Sequence, residues 1–201
     1  PFMLSAVTIA LPRIQSDYAA SAVSLSWVAT AYLFALSICL LPAGRLADLR
    51  GRIRIFVAGL VIFAVASLLC ATAWSLASLL AFRVLQGLGA ACFFTTAMAL
   101  LTASFEPGER GRAFGINVAS VYLGLAAGPW LGGLLTQHLG WRSIFVGTAG
   151  LAFGMSLVLA RGLRQDTLTA PGESLDLPGA IIYAAAIAGL LLGVSWLPDL
   201  R

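Results

Sequence analysis

Long windows without any charged side chain are the dominant feature of this sequence. Charge is absent from residues 18–44, 113–141, 143–160 and 177–198, and Arg83 is the one charged residue between positions 54 and 106. A helix needs about 20 apolar residues to cross the bilayer core. With 60% hydrophobic and 10% charged residues overall, the sequence predicts an all-α membrane protein and excludes a soluble globular fold.

These windows predict seven helices. The stretch that holds Arg83 is long enough for two of them, which should meet near residues 72–75, and a shorter apolar run covers residues 1–12. At about 12 residues, the first run falls short of the 20 or so that a span requires. We therefore expect the chain to lack the start of its first helix.

Arginine is distributed unevenly over the predicted turns. Short turns make neighbouring helices antiparallel, so alternate turns lie on opposite sides of the membrane. The positive-inside rule places the arginine-rich side in the cytoplasm, which predicts a multi-pass protein of the cell inner membrane. On this orientation every tryptophan lies toward the outside, as an interfacial aromatic belt would. The richer side has Arg45, Arg50, Arg52, Arg54, Arg110, Arg112, Arg161 and Arg164, and the poorer side has Arg13, Arg142 and Arg201.

The residue types also exclude several chemistries. All 12 basic residues are arginine, whereas a P-loop needs a lysine on the phosphates and a Schiff base needs a lysine amine. The arginines are too sparse for a nucleic-acid surface. Cys39, Cys70, Cys92 and His138 have no partners at metal-ligand spacing. We therefore predict no metal, no cofactor, no nucleic-acid partner and no enzymatic activity.

The segment after the second predicted helix reads GRLADLRGRIR from residue 44 to 54. Gly44 and Gly51 permit tight turns, and Asp48 can cap the next helix or pair with an arginine such as Arg52. A turn with topogenic charge would look the same. The string resembles motif A of the major facilitator superfamily, Gly-x-Leu-Ala-Asp-Arg-x-Gly-Arg-Arg, although two of its basic positions are apolar here. The resemblance implies a cytoplasmic latch at Asp48 and Arg52.

In the fourth predicted helix, one face carries Arg83, Gln86, Gly87 and Ala90. A guanidinium cannot lie in hydrocarbon without partners, so Arg83 should face other helices or water, unless it snorkels to the outer interface. The string RVLQGLGAA resembles motif B of the same superfamily, whose arginine is implicated in proton transfer. The resemblance implies that Arg83, Gln86 and Gly87 form the coupling region.

The fifth predicted helix carries a small residue at every fourth position, at Ser120, Gly124, Gly128 and Gly132. Such a face lets another helix approach closely, with or without a function beyond packing. Pro129 loosens the helix because it lacks a backbone donor. The string GLAAGPWLGG, which ends at Gly133, resembles motif C of the antiporter branch. The resemblance implies a hinge face at Gly128 and Pro129 against the opposite half of a transporter.

The first predicted helix lacks the membrane acid that the resemblance leads us to expect. When the chain is aligned on Ala10-Leu11-Pro12, Met3 occupies the position of that acid, and all eight acids of the chain fall in predicted loops or at helix ends. Proton coupling ordinarily needs a buried carboxylate that titrates near neutral pH. Three alternatives stay open: the coupling acid lies in the other half, coupling is lost, or the alignment is shifted.

A polar linker after the sixth predicted helix leads into one more apolar run. This run resembles the extra helix that the fourteen-helix drug/proton antiporter family has at this position. We predict the N-terminal six-helix bundle of a major facilitator at residues 1–161, with a truncated first helix. A cytoplasmic linker at 162–176 and an additional transmembrane helix at 177–198 should follow.

The resemblance implies a secondary active transporter that exports amphiphilic small molecules by alternating access, driven by protons. Its expected partners are the substrate, protons, the lipid bilayer and the C-terminal half of the transporter. The alternatives are a facilitator for another solute and a truncated or regulatory half-transporter without activity of its own. A membrane enzyme is the weakest alternative, because no cluster of histidine, cysteine or carboxylate lies within the apolar windows.

Overall fold

The computed structural model describes residues 2–162 and 176–196, which form seven α-helices. The predicted all-α bundle with an additional helix is confirmed. Residues 163–175 of the predicted linker lie outside the described ranges. The helices are α1 (Phe2–Tyr18), α2 (Ala22–Arg50), α3 (Arg52–Ala71), α4 (Leu76–Ser104), α5 (Arg110–Leu139), α6 (Arg142–Gly162) and α7 (Leu177–Trp196).

Five of the described helices, α2 to α6, are long and apolar enough to cross a membrane. The first helix has 17 residues, and α7 has 20 residues and includes the apolar stretch Pro178–Leu191. Because a span needs about 20 apolar residues, this series of helices is that of a multi-pass membrane protein.

The first helix extends beyond the apolar run that predicted it. The run ends at Pro12, but α1 continues to Tyr18 with Pro12 in its interior. A charge-free window measures only the length that hydrocarbon can cover, whereas a helix keeps its internal hydrogen bonds in the polar region beyond. The boundary predicted for this helix was therefore wrong.

Serine side chains explain where two of the helices begin. The Ser24 amide donates to Ser21 Oγ at 3.1 Å at the start of α2. Before α4, the Ser78 amide donates to Ser75 Oγ and the Ser75 amide donates to Ser78 Oγ, both at 3.1 Å. This reciprocal cap satisfies two amides that a helix start leaves without partners. The predicted break at residues 72–75 is confirmed.

The bundle is built around α4. That helix packs along α2 and α3, while α3 also contacts α6, α1 packs against α5, and α7 contacts α2.

Glycine makes the close approach of α3 and α4 possible. A Cβ on Gly89 would lie 2.6 Å from the Phe63 amide nitrogen, and one on Gly59 would lie 2.6 Å from Cys92 Cβ. Small residues of this kind let helix backbones approach closely in a membrane.

The turns alternate between the two ends of the bundle. At one end Arg52 and Arg110 line the same cavity of about 370 Å³, so the α2–α3 and α4–α5 turns lie together. At the other end the Ala73 carbonyl accepts from Tyr18 Oη at 2.8 Å and from Arg142 Nη2 at 3.3 Å. This arrangement agrees with the alternation expected from the sequence. Which end faces the cytoplasm stays a prediction.

Single cysteine probes test that orientation. Exposed positions are available at the arginine-rich end, at Arg50 and Gly108, and at the other end, at Trp74 and Gln137. In a background without the native cysteines, a membrane-impermeant maleimide should label Trp74→Cys and Gln137→Cys in intact cells. It should label Arg50→Cys and Gly108→Cys only after permeabilisation, because arginine-rich turns stay in the cytoplasm. Labelling of Gly108→Cys in intact cells would overturn the orientation.

Candidate functional site

Arg83 lies fully buried in α4, about two turns after the helix begins. Its Nε donates to the Val28 carbonyl of α2 at 2.7 Å, and its Nη1 donates to Gln86 Oε1 at 2.7 Å. The guanidinium carbon lies 4.5 Å from the ring centroid of Tyr32. With 0% of its surface exposed, Arg83 is buried as predicted, and the alternative that it snorkels to the interface is wrong.

Gln86 extends these polar contacts to α3 and α1. Its Nε2 donates to Ser67 Oγ at 2.5 Å and lies 3.2 Å from Met3 Sδ. The Ser67 hydroxyl in turn donates to the Phe63 carbonyl at 2.7 Å. A buried polar cluster therefore joins α1, α2, α3 and α4. We call it the Arg83 cluster, and its side chains are Arg83, Gln86, Ser67, Met3 and Tyr32.

The Arg83 cluster holds a positive charge without a carboxylate. Within residues 2–162 and 176–196, no Asp or Glu hydrogen-bonds Arg83, and its Nη2 has no hydrogen-bond partner there. Burying an ion costs several kcal/mol, which pairing and hydrogen bonds must offset. Hydrogen bonds from the guanidinium to the Val28 carbonyl and to Gln86, a weak one to Met3 Sδ, and the face of the Tyr32 ring offset part of that cost. The remaining Nη2 protons can still bind one more acceptor.

Met3 occupies the position where the resemblance leads us to expect an acid. Its Sδ lies 3.8 Å from Arg83 Nη1, so a side chain at position 3 reaches the guanidinium. A thioether is a weak, uncharged acceptor. Because it does not ionise, Met3 adds no proton-binding group to the cluster.

Gly87, the third member of the predicted coupling region, lies at the contact between α4 and α2. A Cβ there would lie 2.5 Å from the Tyr32 carbonyl oxygen and 2.8 Å from Ala35 Cβ. Because Gly87 lets α2 approach this closely, the Val28 carbonyl and the Tyr32 ring come within reach of Arg83.

The segment resembling motif A is helical instead of a loop. The second helix continues to Arg50 and α3 begins at Arg52, with Gly51, at φ 104°, as the break between them. Gly44 therefore makes no turn, and Asp48 lies in the last turn of α2. The expectation that Asp48 caps the following helix was wrong, because Gly51 is the cap residue of α3.

Asp48 and Arg52 form an ion pair across this break. Arg52 Nε and Nη2 donate to Asp48 Oδ1 at 3.1 and 2.9 Å, so the alternative that Asp48 pairs with an arginine is confirmed. The Arg52 and Asp48 side chains are 28% and 34% exposed, and solvent screening limits such a pair to about 1 kcal/mol or less. The ion pair thus orients the two helix ends at Gly51 more than it stabilises the fold, and its role as a latch stays a prediction.

The small-residue face of α5 is covered by α1. A Cβ on Gly128 would overlap Ser5 Oγ and would lie 2.9 Å from the Phe2 carbonyl oxygen, and one on Gly132 would lie 2.8 Å from Ala6 Cα. The predicted close approach of another helix is confirmed. At Gly124 the contact is looser, because a Cβ there would lie 3.5 Å from the Phe2 amide nitrogen.

The identity of this partner helix corrects one expectation. We expected Gly128 to face the opposite half of a transporter, but α1 of the same bundle occupies that face. Pro129 lies on the exposed side of α5, so it stays a candidate for such a contact. At Gly133 a Cβ would meet only Ile9 Cγ2, at 4.0 Å.

Helix α1 connects the two sites that the motifs placed on separate helices. Met3 contacts the Arg83 cluster, while Ser5 and Ala6 lie against Gly128 and Gly132 of α5. Arg83 and Gln86 of the predicted coupling region, and Gly128 and Gly132 of the antiporter motif, therefore all contact the first two turns of α1.

Trp141 lies in the string GWRSIF at residues 140–145, which is similar to the string that opens the sixth helix of drug/proton antiporters. Its burial and its hydrogen-bond partner are what the sequence reasoning missed. We expected it in an interfacial aromatic belt, but it is 3% exposed and its Nε1 donates to Asp17 Oδ2 at 2.8 Å. Trp74 and Trp130, by contrast, are 76% and 68% exposed. The available signal was the adjacent Arg142, because a tryptophan beside a charged residue at a helix start can combine burial with polar contacts.

The chain is similar to known proteins over almost its whole length. A family model described as Major Facilitator Superfamily matches residues 1–200. The cephamycin export protein CmcT of Amycolatopsis lactamdurans is 40% identical over 196 residues, covering 96% of this chain and 40% of that protein. The tetracenomycin C resistance and export protein of Streptomyces glaucescens is 39% identical over 197 residues, covering 96% and 36%.

The riboflavin transporter RibZ of Clostridioides difficile is 30% identical over 191 residues, covering 95% of this chain and 42% of that protein. The chain thus spans about two fifths of the length of these three relatives. All three names describe movement of small molecules across a membrane, and two of them specify export.

Proposed function

Because the chain belongs to the major facilitator superfamily, we propose that it is part of a secondary transporter that exports amphiphilic small molecules by alternating access. It is a multi-pass protein of the cell membrane. The export named in two relatives, of cephamycin and of tetracenomycin C, supports this substrate class.

The observation that carries the proposal is the buried charge of Arg83. Apolar residues of similar volume would pack a bundle core at lower cost than an ion without a carboxylate. An ionisable residue within the membrane, facing the bundle interior, is by default a functional residue. We therefore propose that Arg83, Gln86 and Gly87 form the coupling region, with Arg83 Nη2 available to an acceptor that changes during the transport cycle.

A second half of the transporter is part of this proposal. The α5 face away from α1 carries large exposed apolar side chains, with Tyr122 at 66%, Leu123 at 70% and Trp130 at 68% exposure. Lipid or another helix bundle can cover such a face. The relatives are more than twice as long as this chain, which supports a second helix bundle as the cover. The two bundles would then be structural repeats with the substrate site between them. Residues 177–198 would then be the extra helix of a fourteen-helix transporter, linked through residues 162–176 to a bundle at 1–161.

We propose that protons drive export. A guanidinium stays protonated at any working pH, so Arg83 itself does not carry the proton. Nη2 is buried in this conformation, so the bundle must open around Arg83 during the cycle before an acid from the other half reaches Nη2 and binds and releases the proton. The second candidate is a gradient-independent facilitator for another solute, which the uncharged Met3 beside Arg83 favours.

Drug susceptibility tests the proposed export. We expect the complete polypeptide that carries this sequence, expressed in a bacterial strain without its own multidrug pumps, to lower ethidium accumulation and to raise resistance to amphiphilic antibiotics. Collapse of the proton gradient by an uncoupler should restore accumulation. Cells that express the Arg83→Ala variant at the same level are the control. Ethidium accumulation equal to that of cells with an empty vector would contradict the proposed export, and efflux that persists with the uncoupler would favour the facilitator.

A further inference from the structure

Three turns meet at the end of the bundle opposite the arginine-rich turns. Trp141 Nε1 donates to Asp17 Oδ2 at 2.8 Å, and Arg142 Nη1 donates to the same oxygen at 3.3 Å. Arg142 Nη2 donates to Tyr18 Oη and to the Ala73 carbonyl, both at 3.3 Å, while Tyr18 Oη donates to Ala73 at 2.8 Å. These five residues, which we call the Asp17 cluster, join the end of α1 to the α3–α4 turn and to the start of α6.

Within the Asp17 cluster, the indole of Trp141 is the most deeply buried side-chain donor. The side chains of Asp17 and Arg142 are each 44% exposed, so their ion pair is screened and contributes little. Trp141 is 3% exposed and packs edge-on against Tyr18 and Phe145, at centroid distances of 6.0 and 5.9 Å. A buried N–H that loses its acceptor costs more than an exposed one, because water cannot replace the bond.

The Asp17 cluster lies at one end of the helix whose other end contacts the coupling region. Asp17 and Met3 are 14 residues apart on α1, a distance of about 21 Å along a helix. Pro12 lies between them and removes one backbone hydrogen bond, but α1 continues through it, so we expect a shift at Asp17 to move Met3 relative to Arg83 and Ser5 relative to Gly128. Ser5 lies tightly against α5, since a Cβ on Gly128 would overlap it, so a small shift of α1 is enough to change this contact.

We propose that Asp17 and Trp141 are positioning residues for transport. Their hydrogen bond sets the depth and rotation of α1, and thereby holds Met3 against the Arg83 cluster and Ser5 against α5. The proposal rests on the transport function proposed above, but its structural part can be measured separately. Neither residue is in the motifs that resemble the superfamily's motifs A, B and C, although Trp141 lies in the string that resembles the start of the sixth helix of drug/proton antiporters.

Four substitutions separate the contacts of the Asp17 cluster. Trp141→Phe keeps an aromatic ring but removes the indole donor, and Asp17→Ala removes the acceptor. Asp17→Asn keeps an oxygen that accepts from the indole while it removes the charge that faces Arg142. Gln15→Ala is the matched control, because it deletes another hydrogen bond at the same end of α1, from Gln15 Nε2 to the Ala20 carbonyl.

The readouts are a distance between α1 and α6 and the kinetics of transport. Spin labels at the exposed positions Ser16 and Val146 should show one narrow distance distribution in the complete polypeptide without its native cysteines. Trp141→Phe and Asp17→Ala should add a second population and lower the maximal rate of transport about tenfold, the size expected for one lost hydrogen bond to a charged group. Asp17→Asn and Gln15→Ala should keep the narrow distribution and the rate.

The distance distribution and the rate of transport test the proposal separately. A narrow distribution and an unchanged rate in Asp17→Ala would overturn the positioning role. A broadened distribution with an unchanged rate would also overturn it, since α1 would then move without consequence for transport. If the native sequence transports nothing while Asp17→Ala and Trp141→Phe broaden the distribution, the structural part holds and the proposed transport function is wrong.

Discussion

Leucine in place of Gly128 should lower export by the complete polypeptide at least about fivefold, because α1 must move away from α5 to admit the side chain. The first added carbon already overlaps Ser5 Oγ and lies 2.9 Å from the Phe2 carbonyl oxygen. That oxygen belongs to the backbone, so a change of rotamer does not relieve the clash. Overpacking costs about 1–3 kcal/mol, and a cost of this size lowers the population of the transporting state roughly 5–150-fold.

Graded substitutions along the same helix provide the controls for this prediction. Gly128→Ala should lower export strongly, whereas Gly124→Ala and Gly133→Ala should be tolerated, because their nearest neighbours lie at 3.5 and 4.0 Å. Adding Ser5→Gly to Gly128→Ala should restore part of the rate, since it removes one of the two clashing groups. Dye export by cells, normalised to monodisperse protein extracted from the membrane, measures these effects. Full export by Gly128→Leu would contradict the packing of α1 on α5.

The positions of the helices could be predicted because hydrocarbon tolerates few charges. The break at residues 72–75 carries no charge, yet it was predictable because the apolar stretch around it is too long for one span. The same rule failed at Asp48 and at Pro12, where a helix continues into the polar region and charged residues no longer mark its end. Charge patterns locate the membrane-spanning part of a helix and leave its full length open.

The burial of Arg83 could also be predicted, because an arginine in a spanning helix has few other places to lie. Helical spacing further placed Gln86 beside it, and the two side chains are hydrogen-bonded. Spacing within one helix says nothing about neighbouring helices. The Val28 carbonyl and Ser67 therefore could not be foreseen, since they depend on how α2 and α3 pack against α4.

The contact between Asp17 and Trp141 shows the same limit over a longer distance. The two residues are 124 positions apart in the chain, and each was explained adequately by its local context, one as a loop acid and one as an interfacial aromatic. Only the packing of α1 beside α6 brings them together. Local sequence patterns assign a residue to a helix, a helix end or a loop. Which of these residues contact one another depends on how the helices pack.

Alanine in place of Arg83 should have a second large effect. It removes the buried charge and leaves Gln86 Oε1 without its donor, so any group that depends on the guanidinium loses its partner. Arg83→Lys keeps the charge, but a single ammonium lacks the planar fork that reaches the Val28 carbonyl and Gln86 from different nitrogens. We expect both variants to lose gradient-driven export, at least about tenfold for alanine, as for loss of a charged hydrogen-bond donor.

Arg13→Ala is the matched control for the Arg83 variants. It also removes one arginine from the chain, but from an exposed position on α1, so export and the amount of folded protein should stay at the level of the native sequence. Monodisperse elution after detergent extraction should be the same for Arg83→Ala and Arg13→Ala if the effect of Arg83 is on transport. If Arg83→Ala aggregates and Arg13→Ala does not, the guanidinium of Arg83 is instead needed for folding.

Substrate uptake into proteoliposomes with an imposed pH gradient tests the central claim most directly, because it removes all other cellular pumps. The complete polypeptide and Arg13→Ala should accumulate ethidium when the gradient is imposed and should stop when an ionophore collapses it. Arg83→Ala, reconstituted at the same density, should accumulate no more than empty liposomes. If Arg83→Ala instead accumulates ethidium at the rate of the native sequence, the buried guanidinium is a packing element and the Arg83 cluster is not the coupling region.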